Sequence, residues 1–409
     1  MWLTLVSVLG TAACFGQLEV AFRSFESSFG KEYSSPLERA YRESVFAANK
    51  RAIDALNAAF GVSHGRNFTA EANKFADLTT EEFSEYFTMP GEFLKDDKRG
   101  EHEIAAPTRL LQAGQIPQKA DWSRYVSPVK DQVQCNACYA FAALALAEAS
   151  FAQSTGTFVN LSEQEIVDCS RANLDCVGGT PTAALDYVVN NQIAQTANYP
   201  YEAKKNDRCR VFSRGRRLQT QTFPSFSFPQ FNFSSLPAMQ TPSFPIFNPL
   251  PSYPSYSSPP TNSNPTLPTN SNPTLPTYPP QTSPNSFTPN ARWGRLRGYR
   301  RIGKTMLSVL FELARGPILL SMHASREFSF YKSGVFDGAG CDSATIANHS
   351  ALAVAYDLTA EVPYILFKTT SGSHWGDKGY FNMAIGALNP NSQGFCLVAA
   401  TDFQLSAVL

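Results

Sequence analysis

Gln132-Val133-Gln134-Cys135-Asn136-Ala137-Cys138-Tyr139-Ala140-Phe141 sets two thiols three residues apart, just ahead of a long run of helix formers. From Tyr139 to about Gln153 nearly every residue is Ala, Leu, Phe or Glu, so a helix is expected to begin at or just before Cys138. One of the two thiols is available as a nucleophile at that helix end and the other for a disulfide. Which takes which part decides what the chain does.

The chain has 409 residues, too many for one ordinary domain and enough for two or three pieces. Lys plus Arg and Asp plus Glu both total 34, so the charge balance gives no reason to expect a nucleic-acid or strongly acidic partner. Residues 1–16 form an apolar run ending in small residues, too short to span a bilayer comfortably. A signal peptide cut near Ala13 or Gly16 is expected, although the usual basic start is missing and a buried N-terminal helix is the other reading. No later run has the length and apolarity of a membrane span. The secretory pathway is therefore expected, ending in a lysosome, a vacuole or outside the cell, where disulfides are permitted. Removing Cys14 with the leader leaves Cys135, Cys138, Cys169, Cys176, Cys209, Cys341 and Cys396, so six can pair and one stays free. An odd thiol in an oxidising compartment is an unpaired accident, an intermolecular link or a reactive group.

A helical stretch is expected from Ser35 to roughly Phe60, with Glu38, Arg42, Phe46, Asn49, Ile53 and Asn57 on one face. Glu38 and Arg42 stand one turn apart in the favourable order for an ion pair, and Phe46 and Ile53 give that face apolar anchors. A second composition break runs from Gln221 to Asn290, which contains no charged residue or histidine and holds 18 of the 28 prolines. The octapeptide Thr-Asn-Ser-Asn-Pro-Thr-Leu-Pro occurs there twice in tandem, at 261–268 and 269–276. Proline at this density removes backbone donors, so an extended or disordered insertion is expected. Arg214, Arg216 and Arg217 precede it and Arg295, Arg297, Arg300 and Arg301 follow it, either as cleavage sites or as solvated loop cations.

The spacing Glu38-x3-Arg42-x3-Phe46-x2-Asn49-x3-Ile53-x3-Asn57 resembles the prosegment signature of cathepsin L-like papain-family cysteine proteases. Asn73-Lys74-Phe75-Ala76-Asp77 is similar to that group's second prosegment motif, with Glu71 in place of the usual Gly. Ile116-Pro117-Gln118-Lys119-Ala120-Asp121-Trp122 resembles a mature start, preceded by an exposed, cleavable connector from Lys95 to about Gln115. Gln132-x2-Cys135-x2-Cys138 resembles the nucleophile motif, and Asn348-His349-Ser350-Ala351-Leu352 the strand of the catalytic histidine, at a separation enlarged by about the insertion's length.

The resemblance implies an α+β, papain-like two-lobe fold: a signal peptide over 1–16, an inhibitory helical prosegment over 17–115, a helical lobe over 116–220, the insertion over 221–290 and a β-barrel-like lobe over 291–409. It implies a cysteine endopeptidase made as a zymogen, acting on polypeptides, inhibited by its own prosegment and weakened in that inhibition by acid. A monomer without cofactor or metal is expected. Cys138 would be the nucleophile, His349 its acid–base partner, and Gln132 a donor to the oxyanion together with the Cys138 N–H. A helix end contributes about 0.3–2 kcal/mol, whereas lowering a thiol pKa from ~8.5 to ~3.5 takes about 7 kcal/mol, so His349 must supply most of the activation. The implied disulfides are Cys135–Cys176, Cys169–Cys209 and Cys341–Cys396, which leaves Cys138 as the free thiol by a count independent of its motif. Gly178 and Gly179 would offer a bare backbone edge to the substrate. Trp375 belongs to the substrate-binding set by the same resemblance. The uncharged Thr180, Pro181, Ser350 and Thr401 would favour an apolar or aromatic side chain at P2.

Lys368-Thr369-Thr370-Ser371 departs from the family pattern, which has Asn at Thr369 and Trp at Ser371. Threonine's shorter hydroxyl would have to accept the imidazole N–H without a shielding indole, at an expected cost of about ten- to a hundredfold in activity. The rival reading is a catalytically impaired or silent homologue acting as a binding protein. Tyr139 for Trp and Asn136 for Gly are milder changes, Asn being tolerant of a left-handed backbone. Leu161-Ser162-Glu163-Gln164-Glu165 reads as a capping box. Asn67 and Asn232 head the sequons expected to be used, ahead of Asn160, while Asn348 beside His349 is expected to stay bare.

Overall fold

Ser35 opens the long prosegment helix by accepting the Glu38 N–H on its hydroxyl, with Pro36 at the first helical position. A computed structural model describes residues 17–60, 67–90, 116–210, 292–293 and 296–408, apart from 343, 387–391, 393 and 401–404. The described residues all fall in one compact unit. The signal, the connector, the proline-rich insertion, Asn232 and Thr401 lie outside them.

The first part carries α1 (17–29), α2 (Pro36–Ala58), β1 (Phe68–Ala70) and α3 (Thr80–Phe87). α1 was not anticipated, although Phe22, Phe25 and Phe29 follow a helical spacing. Phe22 and Phe25 pack on Phe46 of α2 with ring centroids 5.3 and 4.9 Å away. The Glu38–Arg42 pair is a correction. Glu38 accepts from the Ser34 N–H and hydroxyl instead, and Arg42 reaches across to Glu82 of α3 at 2.7 Å. Asn49, fully buried, donates to the carbonyls of Ala76 and Leu78, while Asn57 exchanges two 2.8 Å bonds with the Ala70 backbone. The polar residues of the α2 face thus tie down loop backbone that would otherwise be buried unsatisfied.

After β2 (Lys119–Asp121) comes α4 (Cys138–Thr155), buried on nearly every face and ended by Gly156 at φ 70°. α5 (Glu163–Cys169) and α6 (Pro181–Asn190) accompany it, followed by β3 (Ile193–Ala194) and β4 (Arg292–Trp293), which pair antiparallel. Only half of the predicted capping box forms. Ser162 accepts the Glu165 N–H, but the Glu165 carboxylate turns to the Ala194 N–H and the Tyr187 hydroxyl.

β5 (Gly298–Arg301), α7 (Met306–Leu313), β6 (Ile318–Met322), α8 (Arg326–Ser329), β7 (Tyr331–Phe336), β8 (His349–Asp357), β9 (Tyr364–Lys368), β10 (Tyr380–Ala384) and β11 (Leu405–Val408) complete the chain. The main sheet runs β1-β7-β10-β9-β8-β6-β11-β5, with β2 paired to β8. Residues 119–121 therefore join the β-rich part, a correction to their placement in the helical lobe. β8 is buried from His349 to Tyr356, as befits the middle of the sheet. The prosegment is built into this assembly: β1 pairs β7, and Ile53, Phe68, Phe75, Phe83 and Phe87 share one apolar cluster with Phe328, Trp375 and Phe381.

Candidate active site

Cys138 is the first residue of α4, fully buried, and the only cysteine among the described residues outside a disulfide. The three bridges are Cys135–Cys176, Cys169–Cys209 and Cys341–Cys396, as the family pattern implied. The first anchors the nucleophile turn to the loop of Gly178 and Gly179, and the Asn136 N–H reinforces it by bonding the Cys176 carbonyl at 3.1 Å. Opposite, His349 begins β8, and the backbone N–H groups of Ser350, Tyr139 and Cys138 all bear on the thiol.

Gln132 is fully buried beside them. One of its two amide N–H bonds goes to the Cys135 carbonyl at 3.0 Å, which leaves the second for an oxyanion. Its own carbonyl oxygen accepts from the Thr370 hydroxyl, and its main chain is held by the Thr370 carbonyl and the Tyr201 hydroxyl, each at 2.8 Å. Thr370 and Tyr201 carried no signal in the sequence reading. Val133 has φ 53°, a left-handed conformation unfavourable to a β-branched residue, while Asn136 is not left-handed. Tyr139 is buried with its hydroxyl on the Asp175 carbonyl.

Thr369 does not take the asparagine's part in this state. Its hydroxyl donates to the Gly379 carbonyl at 3.0 Å and accepts from the Ser371 N–H at 3.3 Å. His349 Nδ1 is buried without a hydrogen-bond partner, and the ring's hydrogen bond is to the backbone of Phe87, at the end of α3. Trp375 is also corrected. It is a core residue, 1% exposed, packed at a tilt on Phe328 and Tyr331 and edge-on to Phe381, and donating to the Ser329 carbonyl at 2.8 Å. Gly178 bonds the Leu174 N–H through its carbonyl, and a Cβ on Gly179 would collide with Asn173, so bulk is excluded at that edge. Thr180 caps α6, Pro181 is buried behind it, and Ser350 is buried against the Ser321 hydroxyl.

The prosegment closes the site. Glu85 gives its carbonyl to Asn136, two residues before Cys138, at 2.6 Å, and the Met89 N–H bonds the carbonyl of Asn348, which adjoins His349, at 2.7 Å. The Asn348 side chain is occupied with the Ala324 backbone. Lys74 sets its ammonium 2.7 Å from both carboxylate oxygens of Asp131, and Asn73 bonds the Ser329 carbonyl. A cavity of about 760 Å³ remains between α3 and the wall formed by Asn136, Val177, His323 and Asn348. Burial pushes the Cys138 thiol up to about 12, against the pull of the surrounding N–H groups. It also pushes His349 down to about 4, against the Phe87 hydrogen bond. Covered in this way, both groups are shifted toward their neutral forms, against the ion pair expected for the open enzyme.

A thiol at a helix start, close to the backbone N–H that follows an imidazole at a strand start and covered by a segment of the same chain, defines a thiol hydrolase held shut by its own N-terminal part. The papain family cysteine protease model matches residues 116–232 and 276–400, and the cathepsin propeptide inhibitor domain (I29) matches 22–83. The chain belongs to the papain family of cysteine proteases, and it carries that family's inhibitor prosegment. It is 27% identical to a thiol protease aleurain-like protein of Arabidopsis thaliana, covering 94% of this chain and 83% of the relative. It is 28% identical to chymopapain of Carica papaya (93% and 85%) and 29% to digestive cysteine proteinase 3 of Homarus americanus (88% of each). Among solved structures, recombinant stem bromelain precursor superposes with a TM-score of 0.65 at 24% identity, covering 96% and 99% of the two chains. Digestive procathepsin L 3 of Tenebrio molitor larval midgut gives 0.66 at 22%, with the same coverage. These likenesses bear on the fold.

Proposed function

We propose that Cys138, His349 and Gln132 form the acyl-transfer centre of an endopeptidase that becomes active when the prosegment leaves. The thiolate of Cys138 attacks a peptide carbonyl, and the oxyanion takes the free N–H of Gln132 and the Cys138 N–H. His349 gives its proton to the departing amine, then removes one from the water that attacks the thioester; the carbon–sulfur bond breaks, the acid leaves and the thiolate and imidazolium are restored. The observation that carries this reading is the position of the one free thiol at the start of α4, backed by the N–H of Ser350 next to His349. Thr369 remains in the proposal because it stands where the family pattern has the orienting Asn, with its hydroxyl freed for the imidazole only if the bond to Gly379 rearranges. Gly178, Gly179, Thr180, Pro181 and Ser350 are proposed for the substrate side, with an uncharged P2 preference. A catalytically silent role is not favoured, because the nucleophile, histidine and amide donor are all present.

No helix among the described residues is long and apolar enough to cross a membrane. A monomer on the secretory route, in a lysosome, a vacuole or outside the cell, is proposed on the leader-like start and the three disulfides. The test is acid activation of the full chain, followed by an epoxide thiol probe and a dipeptide substrate. Adduct at Cys138 and turnover, both lost in Cys138→Ala, are expected. A folded, processed protein that neither labels nor turns over substrate would reject the peptidase reading.

A further inference from the structure

Asp131 precedes the oxyanion donor Gln132 and is bridged through its backbone to Ser371, the position at which the family carries an indole. Its carboxylate takes the Val133 N–H at 2.9 Å and lies 2.6 Å from where a Cβ on Gly372 would stand, so the turn fixes its direction. In the closed state that carboxylate grips the Lys74 ammonium with both oxygens. The same ammonium lies 5.3 Å from the ring centre of Phe87, whose backbone is hydrogen-bonded to His349. A lysine ammonium thus stands against the ring of the residue whose backbone holds the imidazole that must protonate the leaving amine. The leaving amine, which carries the substrate residues on the carboxyl side of the scissile bond, must take its proton from that imidazole.

When the prosegment leaves, Lys74, Phe75 and Phe87 go with it, and Asp131, whose side chain is already 38% exposed, loses its cation. Lys130, next in the chain, cannot replace it, because its ammonium is turned inward to Glu148 and Glu163 at 2.8 and 2.6 Å. With serine in place of an indole at 371, the approach to this carboxylate carries no large side chain from that position. We infer that Asp131 is a specificity residue of the mature enzyme, selecting a basic side chain at the first or second substrate position after the cleaved bond. Lys74 occupies the same place in the zymogen. The inference rests on the peptidase reading given above.

The test uses acid-activated full-length protein and fluorogenic peptides that differ only in carrying Lys, Gln or Glu at those two positions. The ratio of kcat/KM for the Lys peptide over the Gln peptide should be about two- to fivefold at low salt, the range of a partly exposed ion pair, and should shrink as salt is added. The Glu peptide should fall below the Gln peptide. Asp131→Asn should bring the three peptides together, and Asp131→Glu should keep part of the ratio. Equal cleavage of Lys and Gln peptides by the unaltered protein overturns the inference and leaves the peptidase reading intact. A lysine preference that survives Asp131→Asn does the same. Failure to cleave any of the peptides removes both.

Discussion

An asparagine carboxamide carries its oxygen one bond further from the main chain than a threonine hydroxyl, and Thr369 spends its hydroxyl proton on Gly379. Thr369→Asn should therefore raise kcat of the activated protein about tenfold, with little change in KM, if ring orientation limits the rate. Steady-state kinetics on one dipeptide substrate would check this, and an unchanged or lower kcat would show that the imidazole is held by other means. The proton count at Cys138 and His349 makes a separate point. Closed, the pair holds one proton on a thiol pushed up to about 12, beside an imidazole pushed down to about 4. Opened into thiolate and imidazolium, it still holds one, so across mildly acidic and neutral pH the exchange takes up no net proton. Relative to the unfolded chain the sign differs. Burying neutral His349 carries no proton-linked penalty above the unfolded value of 6.5, and a growing one as pH falls toward 4. Cys138, His349 and Gln132 could be proposed from the sequence because each sits in a short motif. The strain at Val133 could not, since only tertiary contacts decide which residue of a tight turn takes the positive φ.

Carboxylates add to the acid sensitivity of the closed state, and α3 carries a clear case. Burial alone would raise Glu82, but the Arg42 guanidinium of α2 and the Thr79 N–H outweigh it and hold its carboxyl below the usual value. A carboxyl with a depressed folded value stabilises above the unfolded value, near 4.5, and that contribution is lost as pH falls through the folded one. Screened as a partly exposed pair, the α2–α3 tie contributes about 0.5–1 kcal/mol. Hydrogen exchange of the α3 amides should show protection falling below about pH 4.5 in the native chain. In Glu82→Gln protection should be lower at neutral pH and lack that step, and identical profiles would sink the idea. The periodicity of α2 was plain in the sequence, yet the partners of its polar face were not. Glu38 and Arg42 fit a helical ion pair by spacing, but Arg42 gains more from a distant, partly buried Glu82 than from an exposed neighbour. Thr79 and Glu82 close a full capping box at α3 by sequence spacing alone, whereas Glu165 abandons its box for the Ala194 N–H.

The match to the protease family stops at residue 232 and resumes at 276, and β3 and β4 bring residues 193–194 against 292–293. Residues 193–194, ahead of the proline-rich stretch, thus pair with 292–293 just after it. Loop-closure entropy grows slowly with length, so removing residues 233–275 should leave thermal stability and dipeptide turnover of the activated protein within about twofold. Loss of folding on deletion would show that the stretch belongs to the core. The two-lobe plan was legible from the motifs at either end, but the crossing of residues 119–121 to β8 was not, because three residues carry no periodicity. The disulfides have a consequence of their own. Cys135–Cys176 and Cys169–Cys209 lie wholly before the proline-rich stretch, and Cys341–Cys396 wholly after it. Cleavage at the flanking arginines would yield two polypeptides with no covalent link, held together by strand pairing and apolar packing. On a denaturing gel they should run apart even without reductant, whereas a native column should carry them as one particle.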